Sequence, residues 1–244
     1  MFKNIVILTG AGVSAESGIP VFRSDNGLWE NERIEDVCVP SALARNPGRV
    51  HDFYNKLRRE VKEKKPNDAH LAIARLQKEW PEKYRGSVSL VTQNIDNMHE
   101  LAGSADVIHM HGYLFSMLCT SCHRHFSFDQ DSHPDDKCPL CGRQTTRPDI
   151  VFFEEMPYHM DRIAALLSDC DLFLSIGTSG VVYPAAGFCA QARAAGALCV
   201  EFNLEPSATV SNFNYGLYGK ASKTVSAFVD HLLKTGEALE EMPR

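Results

Sequence analysis

The sequence lacks several features that would assign a chain to a broad class of protein. Its 244 residues contain no apolar run long enough to cross a membrane, no internal repeat and no low-complexity segment. Lys and Arg, 25 in all, are fewer than the 31 Asp and Glu, so a broad basic surface for nucleic acid is not expected. The first residues lead directly into an apolar strand, which leaves no room for a cleaved signal peptide. We therefore expect a globular cytoplasmic protein without membrane contact or a direct nucleic-acid partner.

A disulfide framework is also not expected, although the chain has eight cysteines, because no secretion signal is seen. Four of the cysteines form two CxxC pairs that are separated by fifteen residues. Two tight turns of this kind present four thiolates, which predicts a closed, structural zinc site. Neighbouring His123 and His125 are alternative ligands, and two redox-active pairs remain an alternative to metal binding. The predicted ligands are Cys119, Cys122, Cys138 and Cys141.

Five short apolar runs end in small or polar residues and predict buried parallel strands. These runs cover residues 5–8, 89–91, 107–108, 172–176 and 198–202. In open α/β sheets the ligand lies beyond the carboxyl ends of such strands. The residues after these strands carry hydroxyl, amide, carboxylate and imidazole groups, so the sequence predicts a nucleotide site that contains a titratable group.

The first run leads into GAGVSA at residues 10–15, which fits a dinucleotide-binding turn between a strand and a helix. Glycines there permit a tight turn and a close approach of the backbone to a pyrophosphate. The acid that holds the ribose in dehydrogenases is missing about twenty residues later, where a polar loop and Trp29 stand instead. Asn203 is a candidate ribose partner, and residues 24–40 are predicted to form a long loop over the cleft.

The remaining pattern predicts an α/β fold, a Rossmann-like parallel sheet with a small inserted zinc-ribbon domain and a helical segment. Asn46 and Pro47 predict a helix to about Lys62, and a second helix is expected over residues 66–80, with Leu71 on its inner face. The predicted division is residues 1–30, 81–112 and 150–244 for the Rossmann-like nucleotide-binding domain, 31–80 for the helical segment with the cofactor loop, and 113–149 for the zinc module.

Together these motifs closely resemble the prokaryotic-type sirtuins, which are NAD-dependent protein-lysine deacylases. The resemblance covers essentially the whole chain in the family's order. It is carried by residues 10–20, 22–23, 27–29, 92–96 and 111–112, the four cysteines, and residues 147–151, 177–179, 184–186 and 203.

The resemblance implies that the acyl oxygen of a modified lysine attacks ribose C1′, that nicotinamide leaves, and that His111 is the general base for a ribose hydroxyl. The products would be free lysine, nicotinamide and O-acyl-ADP-ribose, and the partners would be acylated lysine side chains of proteins. The cofactors it implies are NAD and Zn. The implied NAD-binding residues are Gly10, Ala11, Gly12, Ser14, Ala15, Phe22, Arg23, Trp29, Gln93, Asn94, Asp96, Gly177, Thr178, Ser179, Asn203 and Ala221.

The acyl preference depends on a short stretch of the first predicted helix. Some sirtuins that remove succinyl or malonyl groups carry a Tyr-x-x-Arg pair, whereas here Leu57 lies three residues after Tyr54 and Arg58 follows it. Tyr54 and Arg58 share a helix face, so they are predicted to converge on the acyl group. Alternatively, Arg58 belongs to a solvated face of the helix.

The resemblance also implies an acyl-lysine groove along residues 151–155. Val151 and Phe152 are predicted to border it, and Cys38 is expected to leave room for a longer acyl chain. Glu154 stands where the family usually has glycine, so the peptide preference is expected to differ.

Other functions remain open at this point. The same NAD site would serve a protein mono-ADP-ribosyltransferase, or a non-catalytic sensor of NAD or ADP-ribose. Among the other histidines, His109 is the alternative base, while His70, His99 and His231 fit helix faces and receive no predicted role.

Overall fold

A computed structural model describes residues 2–21, 28–29 and 32–239, with only the backbone of residues 28 and 29. Its centre is a parallel sheet of six strands in the order β11-β10-β9-β1-β4-β5. A two-stranded sheet, β2-β3, and a three-stranded antiparallel sheet, β7-β6-β8, complete the β-structure of the described residues. The strands are β1 (Asn4–Thr9), β2 (Leu28–Trp29), β3 (Glu32–Arg33), β4 (Ser87–Thr92), β5 (Val107–His109), β6 (Gly112–Cys119), β7 (His125–Ser127), β8 (Thr146–Ile150), β9 (Leu172–Ile176), β10 (Leu198–Asn203) and β11 (Tyr215–Tyr218).

The described residues also form α-helices that pack around these sheets. They are α1 (Ile34–Val37), α2 (Pro40–Arg45), α3 (Pro47–Lys62), α4 (Asp68–Tyr84), α5 (Met98–Leu101), α6 (Met160–Ser168), α7 (Phe188–Ala194) and α8 (Ala221–Thr235). A 3₁₀ helix, Ala11–Ser17, follows β1 directly. Within the described ranges, no helix combines the length and the apolar character needed to span a bilayer.

Alternation along the central strands divides the core into two layers. Ile5 and Ile7 of β1 face α4 and α8, whereas Val6 and Leu8 face α6 and α7. Because both faces are covered, the strands are almost wholly apolar, as expected for a buried parallel sheet. The predicted α/β class with a Rossmann-like sheet is confirmed.

A third apolar cluster lies beside the sheet, where α1, α2 and α3 pack against β6 and β8. Helix α3 contributes Val50, Tyr54 and Leu57 to this cluster, and the two strands contribute Leu114 and Ile150. The helical segment and the base of the cysteine module therefore share one core. In contrast, α4 packs on the central sheet.

Two details of the helices and loops differ from the sequence predictions. Leu71 is 48% exposed, because the buried stripe of α4 runs through Ala69, Ile73 and Leu76 instead. The segment predicted as a loop over residues 24–40 contains the β2-β3 pair and α1, besides residues outside the described ranges.

Candidate active site

A large cleft lies at the carboxyl edge of the central sheet. The chain first adds β4 and β5 on one side of β1, and later adds β9, β10 and β11 on the other side. The direction in which strands are added therefore reverses between β1 and β9, which makes this the topological switch point of the sheet. Ligands bind at such points in open α/β sheets. A cavity of about 920 Å³ opens there and continues toward α3 and β8. Predicted site residues that line it are Gly10, Ala11, Gln93, Asn94, Asp96, His111, Val151, Phe152, Gly177, Thr178 and Ser179.

The glycines of the two turns are explained by their contact with each other. Gly10 N–H donates to the carbonyl of Ile176, and Gly12 N–H donates to that of Gly177, both at 2.9 Å. A Cβ atom on Gly12 would lie 2.7 Å from Gly177 Cα, and one on Gly10 would lie 2.7 Å from Gly177 O. Gly177 itself has φ +65°, which glycine adopts without strain. The two turns therefore form a floor at the switch point in which backbone packs on backbone, and no side chain fits between them.

A buried polar cluster borders this floor. Ser14 Oγ donates to Asp96 Oδ2 at 3.1 Å, and Asn94 Nδ2 donates to Gly10 O at 3.2 Å and to Ser14 Oγ at 3.3 Å. Burial raises the pKa of the Asp96 carboxyl above its ordinary value, and hydrogen bonds from Met98 N–H and Ser14 oppose this shift. Asn94 and Asp96 thus present an amide and a carboxyl group to the cavity in fixed orientations.

Two histidines that received no predicted role lie behind this cluster. His70 Nδ1 accepts from Asn67 N–H at 3.2 Å, so its Nε2–H points to Ser14 Oγ at 3.3 Å. His99 Nε2 lies 3.0 Å from Thr9 Oγ1, and the two rings meet edge-on at 4.9 Å. Burial lowers the pKa of His70 to about 4 and that of His99 well below its ordinary value, so both rings are neutral. The apolar pattern of a helix could not predict these contacts, because they join segments that are far apart in the chain.

His111 and His109 differ in the lone pairs they leave free. His111 Nδ1–H donates to the Gln93 carbonyl at 3.2 Å, and its Nε2 has no hydrogen-bond partner in the described part of the chain. Both ring nitrogens of His109 face acceptors, Asn94 O at 3.0 Å and Glu100 Oε1 at 2.7 Å. Burial lowers the pKa of His111 below 6.5, although the hydrogen bond to the Gln93 carbonyl opposes this shift. The ring is therefore neutral at pH 7. Of the two, His111 lines the cavity, and it is the one whose ring keeps a nitrogen that no described residue contacts.

Tyr54 and Arg58, which were predicted to converge on the acyl group, do not line the cavity. Tyr54 is fully buried and its hydroxyl donates to Cys38 Sγ at 3.4 Å. Arg58 is 1% exposed and points away from the cavity. Its guanidinium donates to Leu114 O, Asn55 Oδ1 and Gln130 O, each at 2.9 Å, and the last of these bonds holds the 128–132 segment against α3. Arg58 therefore does not belong to a solvated face of the helix.

The segment after β8 forms the opposite wall of the cavity. Phe153 N–H donates to Cys38 O at 2.9 Å, which ties this wall to the end of α1. Glu154 has φ +77°, a left-handed conformation that costs a residue other than glycine about 1 kcal/mol. Glu154 and Phe153 are both exposed at the mouth.

The four predicted zinc ligands are brought together at the tip of the β7-β6-β8 sheet. Their sulfur atoms all lie within 4.8 Å of one another, with Cys119 to Cys141 at 3.6 Å and Cys122 to Cys138 at 3.9 Å. Four thiolates at Zn–S distances of about 2.3 Å have sulfurs about 3.8 Å apart, so the cluster fits tetrahedral zinc. His125 is instead bonded to Asp149 at 2.8 Å.

Some predicted NAD residues do not border this cavity. Gly12 and Ser14 lie directly behind it, and Asn203 Nδ2 donates to Thr178 O at 2.8 Å, supporting the second turn. Ala15 lies in the 3₁₀ helix, and Ala221 is the first residue of α8, which is held to that helix by Glu16. Phe22, Arg23 and the side chain of Trp29 lie outside the described residues.

Comparison with known proteins follows the same motifs. The Sir2 family profile matches residues 10–184. NAD-dependent protein deacylase SIR2rp3 of Trypanosoma brucei brucei is 50% identical over 233 residues, which is 94% of each chain. NAD-dependent protein deacylase of Vibrio cholerae is 50% identical over 95% of this chain and 94% of its own.

Solved structures agree with these sequence matches. A Sir2 homolog–NAD complex superposes with a TM-score of 0.85 at 38% identity, covering 97% of this chain and 91% of that one. Sir2Tm bound to a propionylated peptide gives a TM-score of 0.76 at 27% identity, covering 96% of this chain and 94% of its own.

Proposed function

The chain belongs to the Sir2 family, and from this membership we propose that it is an NAD-dependent protein-lysine deacylase whose general base is His111. Its substrates are acylated lysine side chains of proteins, and its products are free lysine, nicotinamide and O-acyl-ADP-ribose. Relatives at about half identity over nearly the whole chain carry this activity in their names.

The residues present fit NAD at the switch point. Gly10 and Gly177 bring backbone to the cavity, and Gly12 lets the two turns pack on each other, as a dinucleotide-binding turn requires. Asn94 and Asp96 supply an amide and a carboxyl group for a carboxamide such as that of nicotinamide. Bound NAD supplies an electrophilic ribose carbon and a nicotinamide leaving group.

The observation that carries the proposal is the position of His111 Nε2, which lies in the cavity without a hydrogen-bond partner among the described residues. The Gln93 carbonyl fixes the tautomer by accepting from Nδ1–H, so the lone pair at Nε2 is available to accept a proton from a hydroxyl group. A neutral imidazole is the natural general base near pH 7. Zinc, held by four thiolates, would have no open position and would serve the structure.

The test is mass spectrometry of the purified protein with NAD and an acetyl-lysine peptide. Loss of the acetyl group only when NAD is present, with O-acetyl-ADP-ribose as product, supports the proposal. ADP-ribose attached to protein without loss of the acetyl group would make the protein a transferase. NAD binding without turnover of either kind would make it a sensor.

A further inference from the structure

The wall of the cavity between α1 and α3 is apolar. Its side chains come from α3, from β6 and β8, and from the residues that follow α1 and β8, and none of them is more than 6% exposed. They are Cys38, Leu57, Val61, Leu114, Ile150 and Phe152. An aliphatic chain that enters here replaces water with carbon contacts, which is favourable.

The polar groups directly behind this wall are neutral and already bonded. Tyr54 donates to Cys38 Sγ, and the Tyr54 ring stacks on Phe152 with centroids 6.1 Å apart. Burial raises the pKa of the Cys38 thiol and raises that of Tyr54 well above 10, so neither carries charge at neutral pH. The wall therefore offers no charge of its own.

Two buried arginines lie near the wall. Arg147 donates to both carboxylate oxygens of Glu155, at 2.6 and 3.0 Å, and covers the face of Phe152 at 4.0 Å. Arg58 donates to Leu114 O through Nε and to Asn55 Oδ1 and Gln130 O through Nη1, while its Nη2 has no hydrogen-bond partner among the described residues. Neither guanidinium borders the cavity.

The charged groups that do line this part of the cavity are mostly acidic. Glu60, Glu154 and Glu155 line it, together with Lys64 as the one cation among the described lining residues. Lys64 lies two residues beyond the end of α3 and packs against Gly18. A Cβ atom on Gly18 would lie 3.4 Å from Lys64 Nζ. A carboxylate at the Leu57 wall would therefore be buried without a partner, which is strongly unfavourable.

We propose that Leu57 makes this pocket selective for neutral aliphatic acyl groups and that acyl groups ending in a carboxylate are rejected. The inference rests on the proposed deacylase function and specifies its substrate class. Butyryl and succinyl groups are the sharpest pair of probes, since they have equal length and differ only in a terminal methyl or carboxylate.

The wild-type protein alone decides the question. With NAD and peptides of one sequence that carry butyryl-lysine or succinyl-lysine, we expect kcat/KM to favour butyryl by roughly 100-fold, the cost of one unpaired buried charge. Equal or faster removal of succinyl would overturn the inference. An acetyl peptide is measured alongside, because failure on all three peptides refutes the deacylase function rather than the pocket. Fluorescence polarisation without NAD then tests the pocket separately, with tighter binding of the butyryl peptide expected.

Substitutions test whether Leu57 determines the acyl preference. Leu57→Arg places a cation in the wall and should shift the butyryl-to-succinyl ratio at least roughly tenfold toward succinyl. Leu71→Arg, the same substitution at an exposed leucine of α4, should leave both rates unchanged. If wild-type protein removes succinyl efficiently and Lys64→Met abolishes this, the carboxylate is held at Gly18 and the proposal is wrong.

Discussion

At the residue scale, the site depends on which imidazole nitrogen keeps a free lone pair. His109 and His111 are two positions apart, yet only His111 has a nitrogen that no described residue occupies. The difference comes from Glu100 of α5, which bonds the second nitrogen of His109. The sequence alone cannot show this contact, because it depends on where α5 packs.

We expect His111→Ala to lower kcat by at least about 100-fold, since general-base catalysis contributes on that scale. The fold and the zinc content should persist, and circular dichroism and metal analysis check them. In the wild type, kcat/KM should fall on acidification with a midpoint below pH 6.5, because burial lowers the pKa of His111 and only the neutral ring accepts a proton. An acid limb centred above pH 6.5, or a fully active variant, would contradict this role.

His70 and His99 make a prediction for stability as a function of pH. Their pKa values are lower in the folded protein than in the unfolded chain, because burial disfavours the charged rings. The unfolded chain therefore binds more protons below pH 6.5, and the free energy of unfolding falls as the pH drops from 6.5 toward 4. With a folded pKa of about 4, His70 alone contributes about 3 kcal/mol to this fall.

Urea denaturation at several pH values measures this effect. His70→Gln should flatten the slope between pH 6.5 and 4, and His133→Gln, the same substitution at an exposed histidine, is the control. An equal slope in wild type and His70→Gln would show that the ring becomes protonated in the folded protein.

At the element scale, the strands that end at the cleft and the bounds of α3 were predictable. Asn46 accepts from Arg49 N–H at 3.2 Å as a helix cap, and α3 runs over Pro47–Lys62 as the cap, proline and apolar pattern indicate. The strand β11 was missed, because a four-residue edge strand with a glycine gives little signal. Arg58 was expected at the acyl group, whereas in the structure it bonds to Gln130 O of the 128–132 segment. The sequence pattern could not predict this contact, because the two residues are far apart in the chain.

The contact between the two glycine turns makes a prediction at this scale. Gly12→Ala should lower the free energy of unfolding by about 2 to 3 kcal/mol and weaken NAD binding, because its Cβ would lie 2.7 Å from Gly177 Cα. Urea denaturation and titration with NAD measure the two effects.

Gly48→Ala in the first turn of α3 is the matched control. The nearest atom to its Cβ would be Asn46 Oδ1 at 3.7 Å, and the variant should be more stable by about 0.5 to 1 kcal/mol. If Gly12→Ala is as stable as wild type, the two turns separate without cost and the explanation of the glycines is wrong.

At the scale of the whole molecule, the cysteine module and the cleft share a core. Leu114 and Ile150 belong to the two strands that carry the module, and both also line the cavity. Gly112, where the chain leaves the central sheet, has φ +90° and packs against the backbone of Asp149. Loss of order in the module should therefore reach the acyl pocket before it reaches the sheet.

We expect chelation of zinc, or Cys138→Ala, to remove hydrogen-exchange protection from β6, β7 and β8 while β1 and β9 keep theirs. Deacylation should fall at the same time, because the acyl wall includes residues of β6 and β8. Cys170→Ala is the control, a buried cysteine outside the cluster that should retain zinc. Uniform loss of protection across both sheets would show that the chain unfolds as one unit, and unchanged zinc content in Cys138→Ala would refute the four-cysteine site.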